Sequence, residues 1–338
     1  MVPTLFGITI VVFIIINLAP GSPVEQKLQQ MRFGLSHGSG ASDAGSGGSQ
    51  SSRFEQGVSE EVIESLKKQY GMDKPLLTRY GIWITNISRL DFGTSFTYEE
   101  DVWDLIISKF PVSLQFGLIS LILTYLICIP LGVIKAITNG TKFDFLSSVF
   151  LTIMYSIPPF MLGILLIVFL SGGTFLEIFP VGGLYSDSYD DLSFFAKIAD
   201  RIHHFILPLT CYVIGSFTTL TLLMKNSLLE EIKKDYIRTA RAKGLSEKVV
   251  YLKHGLRNAL IPIVTGLGSF FSFFFAGSLL LETIFQLDGM GLLSFNSLLS
   301  RDYNVIMGLV FVQSLSMLVG NLVSDLAYVW VDPRIDFN

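Results

Sequence analysis

Six stretches of the chain are apolar over roughly the length that a helix needs to cross a bilayer: Met1–Leu18, Ser113–Val133, Leu146–Leu170, Phe205–Met224, Ala259–Leu281 and Val305–Val323. About twenty mostly apolar residues make one crossing. None of the six holds Asp, Glu, Lys or Arg. That absence decides the reading, because one such charge at a helix centre costs roughly 2.5–3.5 kcal/mol on insertion. The prolines inside them (Pro130, Pro158, Pro159, Pro208, Pro262) would break a water-exposed helix, whereas in lipid the neighbouring helices re-satisfy the freed backbone groups. Met1–Leu18 has a rival reading as a cleaved signal peptide. It lacks a basic n-region, and Leu18-Ala19-Pro20-Gly21 makes a poor cleavage site. The pattern predicts an all-α, polytopic integral membrane protein with six transmembrane helices.

The polar intervals set the orientation. Residues 225–257 carry nine basic side chains: Lys225, Lys233, Lys234, Arg238, Arg241, Lys243, Lys248, Lys253 and Arg257. The neighbouring loops hold few, with Lys197 and Arg201 before and Arg301 after. Lys135 and Lys142 fall on the same side as the basic loop. The excess of Lys and Arg marks the cytoplasmic side, so both termini are expected there, with 19–110, 171–204 and 282–304 outside. The expected organisation is a first helix (1–18), a periplasmic segment (19–110) and a permease-like core (111–338) containing the basic loop 225–258. Within the outer segment, Ser36–Ser52 is a Gly/Ser tract with almost nothing to bury, and disorder is expected. After it, Val62, Ile63, Leu66 and Tyr70 form one amphipathic pattern. Leu76, Leu77, Tyr80, Ile84 and Ile87 form a second one beyond Pro75.

Composition sharpens this picture. Half of the 338 residues are hydrophobic, only 15% are charged, and there are 28 Phe against 24 Lys plus Arg. A soluble domain carries about a quarter charged residues; a purely soluble enzyme and a disordered chain are both excluded. The net charge of −4 argues against a nucleic-acid partner. Cys128 and Cys211 sit in apolar runs and read as small buried hydrophobes.

Catalytic signals are few. Asp91-Phe92-Gly93 copies a kinase tripeptide without its companions, and no Gly-Lys dipeptide exists to form a P-loop. His203-His204 has no Cys or carboxylate at ligand spacing and reads as an interfacial pair rather than a metal site. Asp187, Asp190 and Asp191 read as a solvated loop. The sequence thus predicts no catalytic residue, no metal and no cofactor.

One polar segment stands apart. From Glu230 to Leu256, Ile232, Tyr236 and Ala240 recur at helical spacing among basic residues until Gly244-Leu245-Ser246 breaks the run. Val249, Val250, Leu252 and Leu256 then resume it, with Ser246 as a candidate side-chain cap. Two short amphipathic helices around a glycine turn are expected. Such a pair could lie on anionic membrane lipid or dock in a protein groove.

This segment resembles the cytoplasmic coupling loop of ATP-binding-cassette importer permeases. Arg238-Thr239-Ala240 and Gly244 stand where that family has Glu-Ala-Ala and its following glycine. Arg238–Gly244 and His254–Pro262 match the wording of the dipeptide/oligopeptide branch. Further similar segments are Leu18–Pro23, Asp91–Ser95, Glu282–Phe285, Gly289–Leu292, Arg301–Tyr303 and Asp332–Ile335. The Asp332–Phe337 ending and the long first outer loop look closest to the YejB-type group of peptide permeases.

The resemblance implies a type I importer permease fold and a subunit without its own ATPase site. Its partners would be a second homologous permease, two cytoplasmic ATPase domains, a periplasmic peptide-binding protein and the peptide cargo. It assigns ATPase coupling to Tyr236, Arg238, Thr239, Ala240, Arg241, Ala242, Lys243 and Gly244. A translocation path lined by Pro158, Pro159, Gln313, Ser316 and Asn321, with Gly266, Gly268 and Ser314 nearby, is expected. Close helix packing is an equal alternative for these residues. Glu282 and Asp325 could line a vestibule or form structural hydrogen bonds. Nickel or glutathione cargo, or an ATPase-independent carrier, are the alternatives. A carrier would ordinarily need intramembrane ionisable groups, and the six spans hold none.

Overall fold

The computed structural model describes residues 2–18, 73–172, 175–266 and 277–331, and its regular structure is helical, with one isolated bridge between Thr94 and Asp101 among the described residues. The Ser36–Ser52 tract, the Val62–Tyr70 pattern, Gly268 and Asp332–Asn338 lie outside them. Two units can be distinguished, Met1–Ser108 with Ser294–Val312, and Lys109–Leu293 with Gln313–Asn338.

In the first unit, α1 (Val2–Leu18) and α2 (Leu76–Ile87) pack through Phe13, Ile16, Tyr80 and Trp83 around Met307. Pro75 occupies the cap position of α2, where a missing N–H costs nothing. The Thr9 and Tyr80 hydroxyls meet at 2.9 Å. Asp91-Phe92-Gly93 is a turn: the Asp91 carboxylate accepts the Gly93 N–H at 2.9 Å, and Phe92 is buried against Trp103.

Three helices are long and apolar enough to cross a membrane among the described residues: α3 (Val102–Ile137), α6 (Phe194–Ile232) and the stretch 303–326 of α13 (Tyr303–Val331). Both α3 and α6 begin well before their apolar runs. Asp104 lies in the first turn of α3, and Lys197, Asp200 and Arg201 in the first two turns of α6, so hydropathy ends while helix formation continues. Gly132 brings α3 and α6 close enough that a Cβ there would lie 2.6 Å from the Met224 Cβ. Small residues allow such approach where lipid removes the hydrophobic drive between helices.

The third predicted span is not one helix. It is α4 (Lys142–Ser156) followed by α5 (Pro159–Leu170), bent by 93° at Ile157-Pro158. Pro158 removes a backbone donor and restricts Ile157 to extended geometry (φ −92°, ψ 117°). The fifth predicted span is described only at its ends, in α9 (Leu256–Ala259), α10 (Ile261–Thr265) and α11 (Leu279–Ile284). A short α12 (Met290–Leu299) precedes α13.

Large apolar side chains face outward on these helices, Leu126, Phe145, Phe150 and Ile122 among them. Contiguous exposure of that kind marks a surface covered by lipid or protein.

Candidate functional site

The basic segment is an ordered helical hairpin. It begins where α6 ends at Ile232, runs through α7 (Asp235–Ala242), and returns through α8 (Glu247–Val249) and a π-helical stretch, Val250–Gly255, into α9. Ile237, Ala240 and Val250 form its small buried core. Gly244 has φ +77°, with its N–H donating to the Arg241 carbonyl at 2.9 Å and the Leu245 N–H donating to the Ala240 carbonyl at 3.4 Å. This pair of bonds is the Schellman ending, which requires left-handed backbone at the residue after the helix. No atom lies within 4 Å of where a Gly244 Cβ would stand, so glycine is demanded by the backbone and not by crowding. Ser246 stands at the predicted cap position, but its side chain makes no capping bond. The backbone alone starts the return arm, with the Val250 N–H donating to the Ser246 carbonyl.

The predicted coupling residues divide in two. Arg238, Thr239, Ala242, Lys243 and Gly244 are exposed, with Arg238 paired only to Asp235 on the surface. Ala240 is buried, and Arg241 is turned inward as a brace. Its Nε and Nη2 donate to Glu247 at 2.8 and 3.2 Å, Nη2 also reaches the Tyr251 hydroxyl, and the guanidinium lies over the Tyr251 ring. These hydrogen bonds hold the Glu247 carboxyl below its ordinary pKa. Tyr236 ties the hairpin to its root. Its hydroxyl donates to Glu231 at 2.5 Å and accepts from Asn258 at 3.0 Å. Burial, with the Glu231 bond adding to it, pushes the phenol up to about 12.

Two polar centres outside the hairpin support the second unit, the first of them not anticipated from the sequence. Lys135, wholly buried, donates to Ser147, Ser148 and the Asp144 carbonyl and pairs with the Asp144 carboxylate at 3.1 Å. Lys225 reaches the same carboxylate at 2.8 Å. One buried anion therefore joins α3, α4 and the hairpin end of α6. The readable signal was Thr141-x-x-Asp144, a capping-box spacing, and the Thr141 hydroxyl does accept from the Asp144 N–H.

The second centre is Glu282, 1% exposed. It accepts from Ser113, from the Ser278 N–H and from the Leu292 N–H, while Met290 donates to Ser113. Gly277, Gly289 and Gly291 wrap this carboxylate; a Cβ at Gly289 would lie 2.6 Å from it. Glu282 thus has the structural role, and Asp325 is exposed.

A family model described as "Binding-protein-dependent transport system inner membrane component" matches residues 128–337, the stretch that contains the hairpin, the Lys135–Asp144–Lys225 centre and Glu282. The chain belongs to this family. It is similar to the peptidoglycan transport system permease protein YejB of Agrobacterium fabrum, 47% identical over all of this chain and 96% of that protein. The inner membrane ABC transporter permease protein YejB of Escherichia coli O157:H7 is 43% identical over 100% and 96% of the two chains. The oligopeptide transport system permease protein AppB of Bacillus subtilis is 36% identical over 99% and 96%.

In this inner membrane component the predicted path residues fall in two places. Pro158 and Pro159 form the α4–α5 break, where a Cβ at Gly215 of α6 would lie 3.5 Å from the Pro159 Cγ. Gln313, Ser316 and Asn321 lie on α13; Ser314 and Ser316 are buried and Asn321 is exposed. Ser324, one turn on, donates to the Val264 and Thr265 carbonyls. His203 contacts the Ile178 carbonyl and His204 the Asp200 carbonyl, with the two rings at 86°.

Proposed function

We propose that this chain is the permease subunit of an ATP-driven importer for short peptides, inserted with six crossings and both termini in the cytoplasm. The names of its relatives support a peptide cargo. The relative named for peptidoglycan transport adds peptidoglycan fragments as a second cargo class. In this reading a second homologous permease completes the pathway, two ATPase domains supply the work, and an external binding protein delivers the substrate. The sequence has no Gly-Lys dipeptide for a P-loop, and in this reading ATP hydrolysis falls to the partner chains.

One observation carries the coupling role: the hairpin is stiff. Its turn is closed by the Gly244 ending, braced by Arg241–Glu247 and anchored at the root by Tyr236–Glu231. A stiff hairpin presenting Arg238, Thr239, Ala242 and Lys243 can pass a push from a docked ATPase to α6 and α9 as a rigid-body movement. Arg241 and Ala240 act from within, by holding that surface in shape. Pro158, Pro159, Gln313, Ser316 and Asn321 are retained as path residues.

Gly244→Asp is expected to leave membrane insertion intact and to abolish ATP-linked peptide uptake in cells that carry the whole system. Uptake at the unmodified level would refute the coupling role. Recovery of the chain without any ATPase under mild detergent, together with uphill transport by the chain alone in liposomes, would favour the carrier reading.

A further inference from the structure

The first unit encloses a cavity of about 290 Å³ that the transport reading leaves unused. It opens beside Phe13, Ile16 and Asn17, the last turns of α1, and its other wall is α2 with Arg79 and Trp83. Lys74 stands at its edge. The chemistry of this wall is unbalanced. Arg79 is partly buried, yet among the described residues its guanidinium has no carboxylate partner; it lies over the Phe13 ring, 6.0 Å from the centroid, and feels only the Tyr303 phenol electrostatically. Trp83 also lines the cavity, and its indole N–H is buried with no partner. Asp91 is the one carboxylate among the lining residues, and it already accepts from the Gly93 N–H. A desolvated cation and an orphaned donor beside one engaged anion are donors awaiting an acceptor, because burial without a partner is costly.

We propose that this cavity binds the phosphate of an anionic phospholipid from the leaflet at the Leu18 end of α1. Arg79 and Lys74 take the phosphate oxygens, and the Trp83 N–H supplies a neutral donor. Guanidinium is suited to oxyanions of this geometry, and basic pockets between helices are a recurrent mode of headgroup recognition. Two observations favour lipid over a soluble anion. The cavity adjoins a helix whose outer side chains, Ile15 and Leu18, are 61% and 74% exposed and would lie against acyl chains. Its walls join an apolar side, through Phe13, Ile16, Phe92 and Met307, to a polar one with Asn17, Asn86 and Asn304, the amphipathic lining that a headgroup and the start of its acyl chains would meet. The volume suits a headgroup and leaves the acyl chains outside, along α1.

The test is native mass spectrometry of the full chain released from detergent, titrated separately with phosphatidylglycerol, phosphatidylcholine, inorganic phosphate and a tripeptide. The wild-type chain is expected to retain phosphatidylglycerol in preference to phosphatidylcholine. Arg79→Gln is expected to weaken that retention about tenfold. Lys74→Gln, at an exposed position, should weaken it by a smaller factor, and Arg89→Gln, outside the cavity, should leave it unchanged. Equal retention by wild type, Arg79→Gln and Lys74→Gln overturns the proposal. So does retention of inorganic phosphate or the tripeptide without lipid, since either assigns the cavity to a soluble anion.

Discussion

Glu247 lies on the surface, yet its state matters because Arg241 folds back across the turn to meet it with two hydrogen bonds. The carboxyl is held below its ordinary pKa, so its contribution is present above the unfolded value, about 4.3, and is lost as pH falls through the lower folded value. Thermal midpoints measured from about pH 6 down to about pH 3 should therefore fall further for the wild-type chain than for Glu247→Gln. Parallel curves would show that the brace contributes nothing. Part of this was legible in the residues. Gly244 was readable because only glycine takes a left-handed backbone freely, and Tyr236 and Ala240 because their spacing is helical. That Arg241 faces inward while Arg238 faces outward was not, since both are arginines in a basic run and only the folded return arm supplies Glu247 and Tyr251.

Among the elements, hydropathy found where the chain meets lipid and missed where helices begin and bend. The starts of α3 at Val102 and α6 at Phe194 were invisible because charged first turns lower the hydropathy without interrupting the helix. Pro158-Pro159 was readable as a kink, but a 93° turn between two helices depends on what α5 packs against. Lys135 illustrates the same limit. Counted along the chain it is a basic residue marking a side of the membrane; in the fold it is sealed between α3 and α4 with Asp144 as counter-ion. Asp144→Asn is expected to destabilise the chain by about 3 kcal/mol, because it strands a buried ammonium. Lys135→Met added to Asp144→Asn should recover part of that loss, measured by thermal unfolding in detergent. A double variant no more stable than Asp144→Asn alone would count against the ion pair. The separately read segments Glu282–Phe285 and Gly289–Leu292 make sense at this scale too, as they are joined through one carboxylate. Asp91–Ser95 and Arg301–Tyr303 are likewise joined by the Ser95–Asp302 bond of 2.6 Å.

For the whole molecule the testable matter is its arrangement across the membrane. Phosphatase and β-galactosidase reporters fused after Lys248 and after Asp190 are expected to give opposite signals, with the Lys248 fusion active on the cytoplasmic side. The same side for both would overturn the six-crossing arrangement. The greasy outer faces of α3 and α4 fit a body that is embedded and assembled with other chains, as its family membership requires. Cys128 and Cys211, both fully buried and unpaired, have a practical consequence. Maleimide dyes should pass the native protein by, so that any single thiol engineered onto the hairpin or the cavity rim reports its surroundings against a dark background, with no need to strip the natural ones out first.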